Sequence, residues 1–341
     1  MTLRAGPSRA AGRAPTSGRL DYSPSEPFTP AAGLASRHLQ TLFGALFRAG
    51  QPVPLRRERW EMPDGDFLDV DWLDAPPGAP RLLVLHGLEG SSRSGYVLAT
   101  LAEARARGWG AAALNFRSCS GEPNRLLRSY HARETADVHF ALERVRARSA
   151  GPLFAVGFSI GGGTLAWALA EAGEGAPVRA AAGVCVPFDV ARSSALMDGS
   201  GPLRFLYRRW FFSTIKAKAA HKARAFPGSV DLPRVLSART FRDLDDAFVA
   251  PIHGFAGAAD FYRCASSGPA LGQIRQPTLF IAALDDPFVP ADSLPRDGGD
   301  NPHLYWLVTP RGGHLGYVAG SALRPRFWAE RQVMEFFSRH L

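Results

Sequence analysis

Six short apolar runs, separated by stretches of helical character, restrict this chain more than any other feature. They are Arg81–His86 (RLLVLH), Gly110–Phe116 (GAAALNF), Pro152–Phe158 (PLFAVGF), Val178–Val186 (VRAAAGVCV), Pro277–Ala283 (PTLFIAA) and His303–Val308 (HLYWLV). A strand that is apolar on both sides must be covered on both faces, and strands joined through helices pair in parallel. The pattern therefore predicts an α/β fold, with a mostly parallel central sheet between two layers of helices. Helices are expected over about 93–107, about 133–148, from Ile160 to about Glu171, and from about Arg324 to the end. Upstream, Arg57–Glu61 and Phe67–Leu73 flank Pro63-Asp64-Gly65-Asp66, which reads as a hairpin. Leu34, Leu39, Leu42, Phe43, Leu46 and Phe47 fall at helical spacing, so Ala35–Arg48 is expected to be an amphipathic helix whose apolar stripe packs on the domain.

The alternation stops between the fourth and fifth strands. Residues 189–270 carry helical and irregular segments with bulky aromatics (Phe205, Tyr207, Trp210, Phe211, Phe212) and no strand set of their own. The expectation is one domain over 31–341, with this segment as a helical cap inserted over one edge of the sheet. Residues 1–30, with Arg4, Arg9, Arg13 and Arg19 and no acid before Asp21, are expected to be a disordered basic tail.

Forty basic residues against 31 acidic ones give a formal charge of +9 over 341 residues. The excess is almost all arginine, since Lys216, Lys218 and Lys222 are the only lysines. A nucleic-acid binder would concentrate this charge on one element or carry a known module, and neither is present. Nucleic acid is therefore not an expected partner. No run approaches about 18 consecutive apolar residues, so no spanning segment is expected. The leader also lacks a secretory signal's apolar core, which together point to a cytoplasmic chain. Three cysteines without a C-x-x-C pair suit neither a disulfide framework nor a zinc site, and nothing calls for a cofactor or a metal.

The chemistry concentrates at strand ends. Gly157-Phe158-Ser159-Ile160-Gly161-Gly162 joins an apolar strand to a helix, the context of a nucleophile elbow. Glycines on both sides free the space that such a sharp turn needs, and the serine is raised at a helix N-terminus. In this topology an acid and then a histidine follow the serine, each after a later strand. Asp285-Asp286 follows PTLFIAA, and His314 follows HLYWLV within Gly312-Gly313-His314-Leu315-Gly316. The adjacent aspartates cannot both face one imidazole. The D-x-x-V-P pattern of Asp286, Val289 and Pro290 resembles the usual acid loop of the α/β hydrolases, which favours Asp286 and leaves Asp285 to the loop or to helix capping. The expected oxyanion donors are the backbone N–H groups of Ile160 and of Leu88, in His86-Gly87-Leu88-Glu89-Gly90. His86 competes as a base, but it precedes the serine and ends a strand, so it is expected to shape that loop. Cys119 is expected to be a structural thiol.

HGLEGSS at 86–92, FRSCSGEPNR at 116–125, YHARETAD at 130–137, GFSIGG at 157–162, IHGF at 252–255, DDPFVP at 285–290, GGHLGYVAG at 312–320 and RHLQTLF at 37–43 resemble the YheT-like branch of the α/β hydrolases. The likeness spans roughly residues 36–341. It departs from the usual pattern at Ser118, where glycine precedes the cysteine, and at Ser36-Arg37, where Asn-Pro precedes His-Leu-Gln-Thr. The resemblance implies a carboxylic-ester hydrolase with Ser159, Asp286 and His314 as its triad, acting on a small acyl ester or a lipid. Thioesterase or acyltransferase chemistry would use the same groups, and a ligand-binding protein of low turnover is a further alternative. Peripheral contact of the basic cap (Arg204, Arg208, Arg209, Lys216, Lys218, Lys222) with anionic lipid is another expectation.

Overall fold

A computed structural model describes residues 22–48, 53–295 and 301–341. The strands are β1 (Arg56–Glu61), β2 (Phe67–Leu73), β3 (Arg81–Leu85), β4 (Gly110–Asn115), β5 (Leu153–Phe158), β6 (Ala180–Val184), β7 (Thr278–Ala283) and β8 (Leu304–Thr309). They form one eight-stranded sheet in the order β1-β2-β4-β3-β5-β6-β7-β8. The expected hairpin β1–β2 is antiparallel and joins β4 antiparallel. Every other pairing is parallel.

The helices are α1 (Arg37–Phe47), α2 (Gly95–Ala106), α3 (Thr135–Ala147), α4 (Ile160–Ala172), α5 (Val190–Asp198), α6 (Pro202–Ala225), α7 (Leu232–Ser237), α8 (Phe241–Leu244), α9 (Ala250–His253), α10 (Ala258–Ala265) and α11 (Trp328–Ser338). Successive side chains of a strand enter different cores, as the period of two requires. Leu83 and Leu85 of β3 pack with Val138 and Leu142 of α3 and with Leu165 and Leu169 of α4. Leu82 and Val84 pack with Val97 and Leu101 of α2 and with Val333 and Phe337 of α11. The sheet is therefore covered on both faces, as its apolar runs demand. The last helix starts at Trp328, later than expected, because Pro325–Phe327 first pairs with Val318–Gly320 in a small hairpin.

Between β6 and β7 run α5 to α10, with a π-helical stretch at Asp245–Val249 linking α8 to α9. Phe212, Ala219, Val235, Phe241, Leu244 and Phe248 give this segment a small core of its own. Among the described residues, no helix is long and apolar enough to cross a membrane.

Two expectations about the N-terminal region need correction. Residues 1–21 lie outside the described residues, but the chain is packed from Tyr22 onward rather than from about residue 30. Tyr22 is buried and donates its hydroxyl to Gln332 O at 3.2 Å. Trp328 Nε1 donates to Glu26 O at 2.9 Å, and the Phe28 ring meets Tyr317 and Trp328. These single aromatic anchors follow no period, so the composition hid them.

The second correction concerns α1. Leu34 is buried against Val318 with Phe43 packed beside it, as expected, but within the helix the buried residues are Gln40, Thr41 and Gly44, whereas Leu39, Leu46 and Phe47 are exposed. Gln40 fixes the rotation of the helix: its Nε2 donates to Leu34 O (2.8 Å) and Val318 O (3.1 Å), and its Oε1 accepts from Val318 N (2.7 Å). Turning Leu39, Leu46 and Phe47 inward would strip these groups of partners, at about 1–3 kcal/mol for each buried polar group left unmet.

Arg117, after β4, holds the hairpin to α3. Its Nε and Nη2 meet both oxygens of Asp137 (2.8 and 2.7 Å), and its Nη1 meets Asp66 Oδ2 at 3.0 Å. All three residues are buried. Burial alone would raise the Asp66 carboxyl, but hydrogen bonds from Asn124 and from the Arg125 and Phe67 N–H groups, with the Arg117 charge, hold it below its ordinary value. Replacing Arg117 by Met leaves two buried carboxylates uncompensated. The expected loss is about 3–5 kcal/mol in urea denaturation, and a loss under about 1 kcal/mol would refute this account.

Candidate active site

Ser159 sits between β5 and α4 with φ 52° and ψ −124°, a conformation that L-residues rarely adopt. Two glycines make the turn possible. A Cβ on Gly157 would lie 2.4 Å from Gly161 O, and one on Gly161 would lie 2.3 Å from His86 O. The Ser159 N–H is held by Val184 O of the neighbouring strand at 2.8 Å. The serine thus projects at the carboxyl end of the sheet, where open α/β sheets bind ligands.

The structure brings Ser159, His314 and Asp286 together. His314 Nε2 lies 3.0 Å from Ser159 Oγ, and His314 Nδ1 lies 2.8 Å from Asp286 Oδ2. In the tautomer that satisfies both contacts, Nδ1–H donates to the carboxylate and Nε2 accepts from the hydroxyl. The other oxygen of Asp286 accepts from the N–H groups of Phe288 (2.7 Å) and Val289 (3.1 Å), which fixes the carboxylate. Asp285 points elsewhere: its Oδ1 accepts from Gly313 N at 2.9 Å and so holds the histidine loop.

That loop has further supports that the sequence reading passed over. His314 N donates to Thr41 Oγ1 at 2.9 Å. Arg48, buried and paired with Glu330, donates to Leu315 O and Gly316 O. Thr41 belongs to the His-Leu-Gln-Thr segment that carries the family resemblance, but neither that motif nor the apolar spacing of α1 assigns it a partner. Glu89, Ser159, Cys185, Leu315 and Tyr317 all have positive φ without being glycine, so strained backbone gathers in the loops around this site.

Ile160 follows Ser159 as the first residue of α4, and Leu88 lies in the loop after β3, next to Gly87. A Cβ on Gly87 would lie 3.1 Å from Ser159 Cβ, so this loop passes directly beside Ser159. Gly87 N donates to Tyr96 OH (2.9 Å), Glu89 N to Tyr130 OH (2.7 Å) and Gly90 N to Gly87 O (3.1 Å). Among the described residues, the Leu88 N–H is the one in this turn without a hydrogen-bond partner. His86 shapes the loop: Nδ1 donates to Gly87 O at 2.7 Å and Nε2 accepts from Phe116 N at 3.1 Å. Burial pushes its imidazole down to about 3, so it stays neutral and holds a fixed tautomer.

Above these groups lies a cavity of about 460 Å³, lined by Leu42, Trp210, Phe211, Ile215, Phe248 and Ile252 among others. His131 and His253 also line it, and burial lowers them to about 3 and about 4. Most of the basic cap residues turn inward. Arg208 donates to Met197 O and Gly199 O, Lys216 to Leu236 O and Ala238 O, and Lys222 to Asn124 O and Leu126 O. Lys218 meets Glu89 Oε1 at 2.8 Å and Cys119 Sγ at 3.2 Å. Burial pushes the Cys119 thiol up to about 11, which keeps it protonated.

Cys185, Asp286 and His314 place ligand-type atoms within 4.8 Å of one another. Their chemistry does not suit a cation. Both imidazole nitrogens are engaged, by Asp286 and Ser159, and burial raises the Cys185 thiol well above its ordinary value.

An elbow serine, a histidine and an acid after successive parallel strands define a class. Residues 80–321 match the family model of the alpha/beta hydrolase fold, and the chain belongs to this family of enzymes. Within it the chain falls in the YheT-like branch. It is 40% identical over 327 residues to "Putative esterase YheT" of Escherichia coli, covering 94% of this chain and 96% of that one. It is 28% identical over 308 residues to Phospholipase ABHD3 of Homo sapiens, covering 87% of this chain and 75% of that one. The solved Pyrococcus furiosus esterase Pf2001 shares the fold, with a TM-score of 0.56 at 15% identity over 85% of this chain and 94% of that one.

The glycines of the elbow yield a paired test. Gly161→Ala collides with the His86 carbonyl and is expected to cost about 1–3 kcal/mol in denaturant unfolding. Gly163→Ala, whose Cβ would lie 3.5 Å from Ser267 Oγ, meets ordinary contacts. It is expected to stabilise helix α4 by up to about 1 kcal/mol. Equal effects of the two changes would show that close approach at the elbow is not the constraint.

Proposed function

We propose that this chain is a serine hydrolase that cleaves carboxylic esters through an acyl-enzyme. The observation that carries the reading is the continuous Ser159–His314–Asp286 hydrogen-bonded chain at the base of an apolar cavity. His314 Nε2 takes the hydroxyl proton as Ser159 Oγ attacks the ester carbonyl, and Asp286 stabilises the imidazolium. The N–H groups of Leu88 and Ile160 hold the oxyanion. His314 then gives the proton to the leaving alkoxide, the alcohol departs, and water repeats the sequence to release the acid and free serine. The apolar lining supports an acyl chain as the buried part of the substrate, and the name of the human relative supports a lipid ester. A cytoplasmic location belongs to the same reading.

The expected behaviour is turnover of p-nitrophenyl esters and labelling of the protein by a fluorophosphonate, both abolished in Ser159→Ala. Each methylene buried in the cavity is worth about 0.8 kcal/mol, so kcat/KM rises up to about fourfold per added carbon until the cavity fills. Absence of both turnover and labelling in the wild type would overturn the proposal.

A second measurement separates the two aspartates. Asp286→Asn is expected to lower kcat by about 10⁴-fold, because it favours the wrong imidazole tautomer. Asp285→Asn keeps an oxygen for Gly313 N and is expected to stay within about tenfold of wild type. The reverse ranking would transfer the role to Asp285.

A further inference from the structure

Of the residues lining the cavity, Ala45, Arg93 and Trp210 are the exposed ones. The opening therefore lies between the end of α1, the loop before α2 and the first half of α6. The two helices meet nearby, where His38 Nδ1 and the Tyr207 hydroxyl are 3.1 Å apart with their rings stacked. Beside Ala45, Leu46 and Phe47 are 61% and 62% exposed. Beside Trp210, itself 47% exposed, Phe205 and Leu206 are 59% and 48% exposed. A single exposed leucine is ordinary, but this group on two adjoining helices around one opening is not.

Charge narrows the choice of partner. Neither α1 nor α6 contains an acidic residue. Arg37, Arg93 and Arg209 are exposed and form no ion pair among the described residues. His38, at the junction, is lowered first by burial and then by the Arg37 and Arg204 charges, each of which outweighs the opposing charge of Asp285. Residues 1–21 of the same chain suit this surface poorly, with Met1, Leu3 and Leu20 as their only large apolar residues and four arginines of like sign. A second copy would set arginines against arginines. An anionic bilayer offers both an apolar layer for the side chains and negative headgroups for the arginines.

We propose that this rim docks on an anionic phospholipid surface. Leu46, Phe47, Phe205 and Leu206 enter the boundary between headgroups and acyl chains, and the cavity opens toward the lipid. The docking deepens the hydrolase reading by bringing lipid esters to Ser159, yet it can be measured without any turnover.

The experiment is flotation of the full chain with phosphatidylcholine vesicles, with and without phosphatidylglycerol. Wild type and Ser159→Ala are both expected to float with the mixed vesicles, and to float less with pure phosphatidylcholine or at high salt. A Leu46→Ser, Phe47→Ser, Phe205→Ser variant is expected to lose at least about tenfold in partitioning. Its turnover of a short, soluble p-nitrophenyl ester should stay unchanged, which also shows that it is folded. The proposal is overturned if the wild type does not float, if the triple variant floats equally, or if neutral vesicles bind as well. It is also overturned if light scattering finds a dimer that the triple variant lacks, since the rim would then belong to a second copy. Flotation of Ser159→Ala without ester turnover by the wild type would sustain the docking and reject the hydrolase reading.

Discussion

Everything at the site depends on backbone passing through space that one methyl group would fill. Ser159 stands in its strained turn because Gly157, Gly161 and the His86 carbonyl approach closer than any side chain would allow. The same kind of approach sets the Gly87–Gly90 loop beside Ser159, with Gly87 almost against Ser159 Cβ. Strain of this kind costs of order 1–3 kcal/mol per residue and persists only where the surroundings enforce it. Here the enforcement comes from the sheet below, through Val184, and from the loops on either side.

Those loops are held mainly by side chains that bond to backbone. Thr41, Asp285 and Arg48 each take an N–H or carbonyl of the segment carrying His314. Tyr96, Tyr130 and His86 do the same for the segment carrying Leu88. The two aspartates show the division clearly. Asp286 meets the imidazole while Asp285, one residue away, positions the loop that presents it. Neither position is interchangeable with the other, because their side chains leave the chain in different directions.

The fold was legible because its signal is local. Each apolar run states its own burial, and alternation with helices states how the runs pair. Ser159 and His314 were legible for a related reason, since each lies in a glycine-rich turn directly after such a run. What escaped depended on partners distant in sequence. The rotation of α1 is decided by Gln40 and a carbonyl at Val318, a constraint no hydropathy period can express. Tyr22 and Phe28 anchor a segment that reads as a tail until Gln332 and Trp328 are placed beside it. His131, from the loop before α3, and His253, from α9, come together only where the inserted segment meets the sheet domain, with their ring centroids 4.3 Å apart.

The basic charge of the cap changes meaning for the same reason. Arg208, Lys216 and Lys222 bind carbonyl oxygens, which lets irregular segments end without unmet acceptors. Lys218 does more, because its partner Glu89 is the residue after Leu88 and has a left-handed φ of 53°. The Lys218–Glu89 contact, joined by the Tyr130 hydroxyl, links helix α6 to the loop beside Ser159. The position of α6 thus bears, through that ion pair, on the residue next to Leu88. The cap is part of the site's geometry as well as its cover, and its helices cannot be treated as an appendage to a finished sheet.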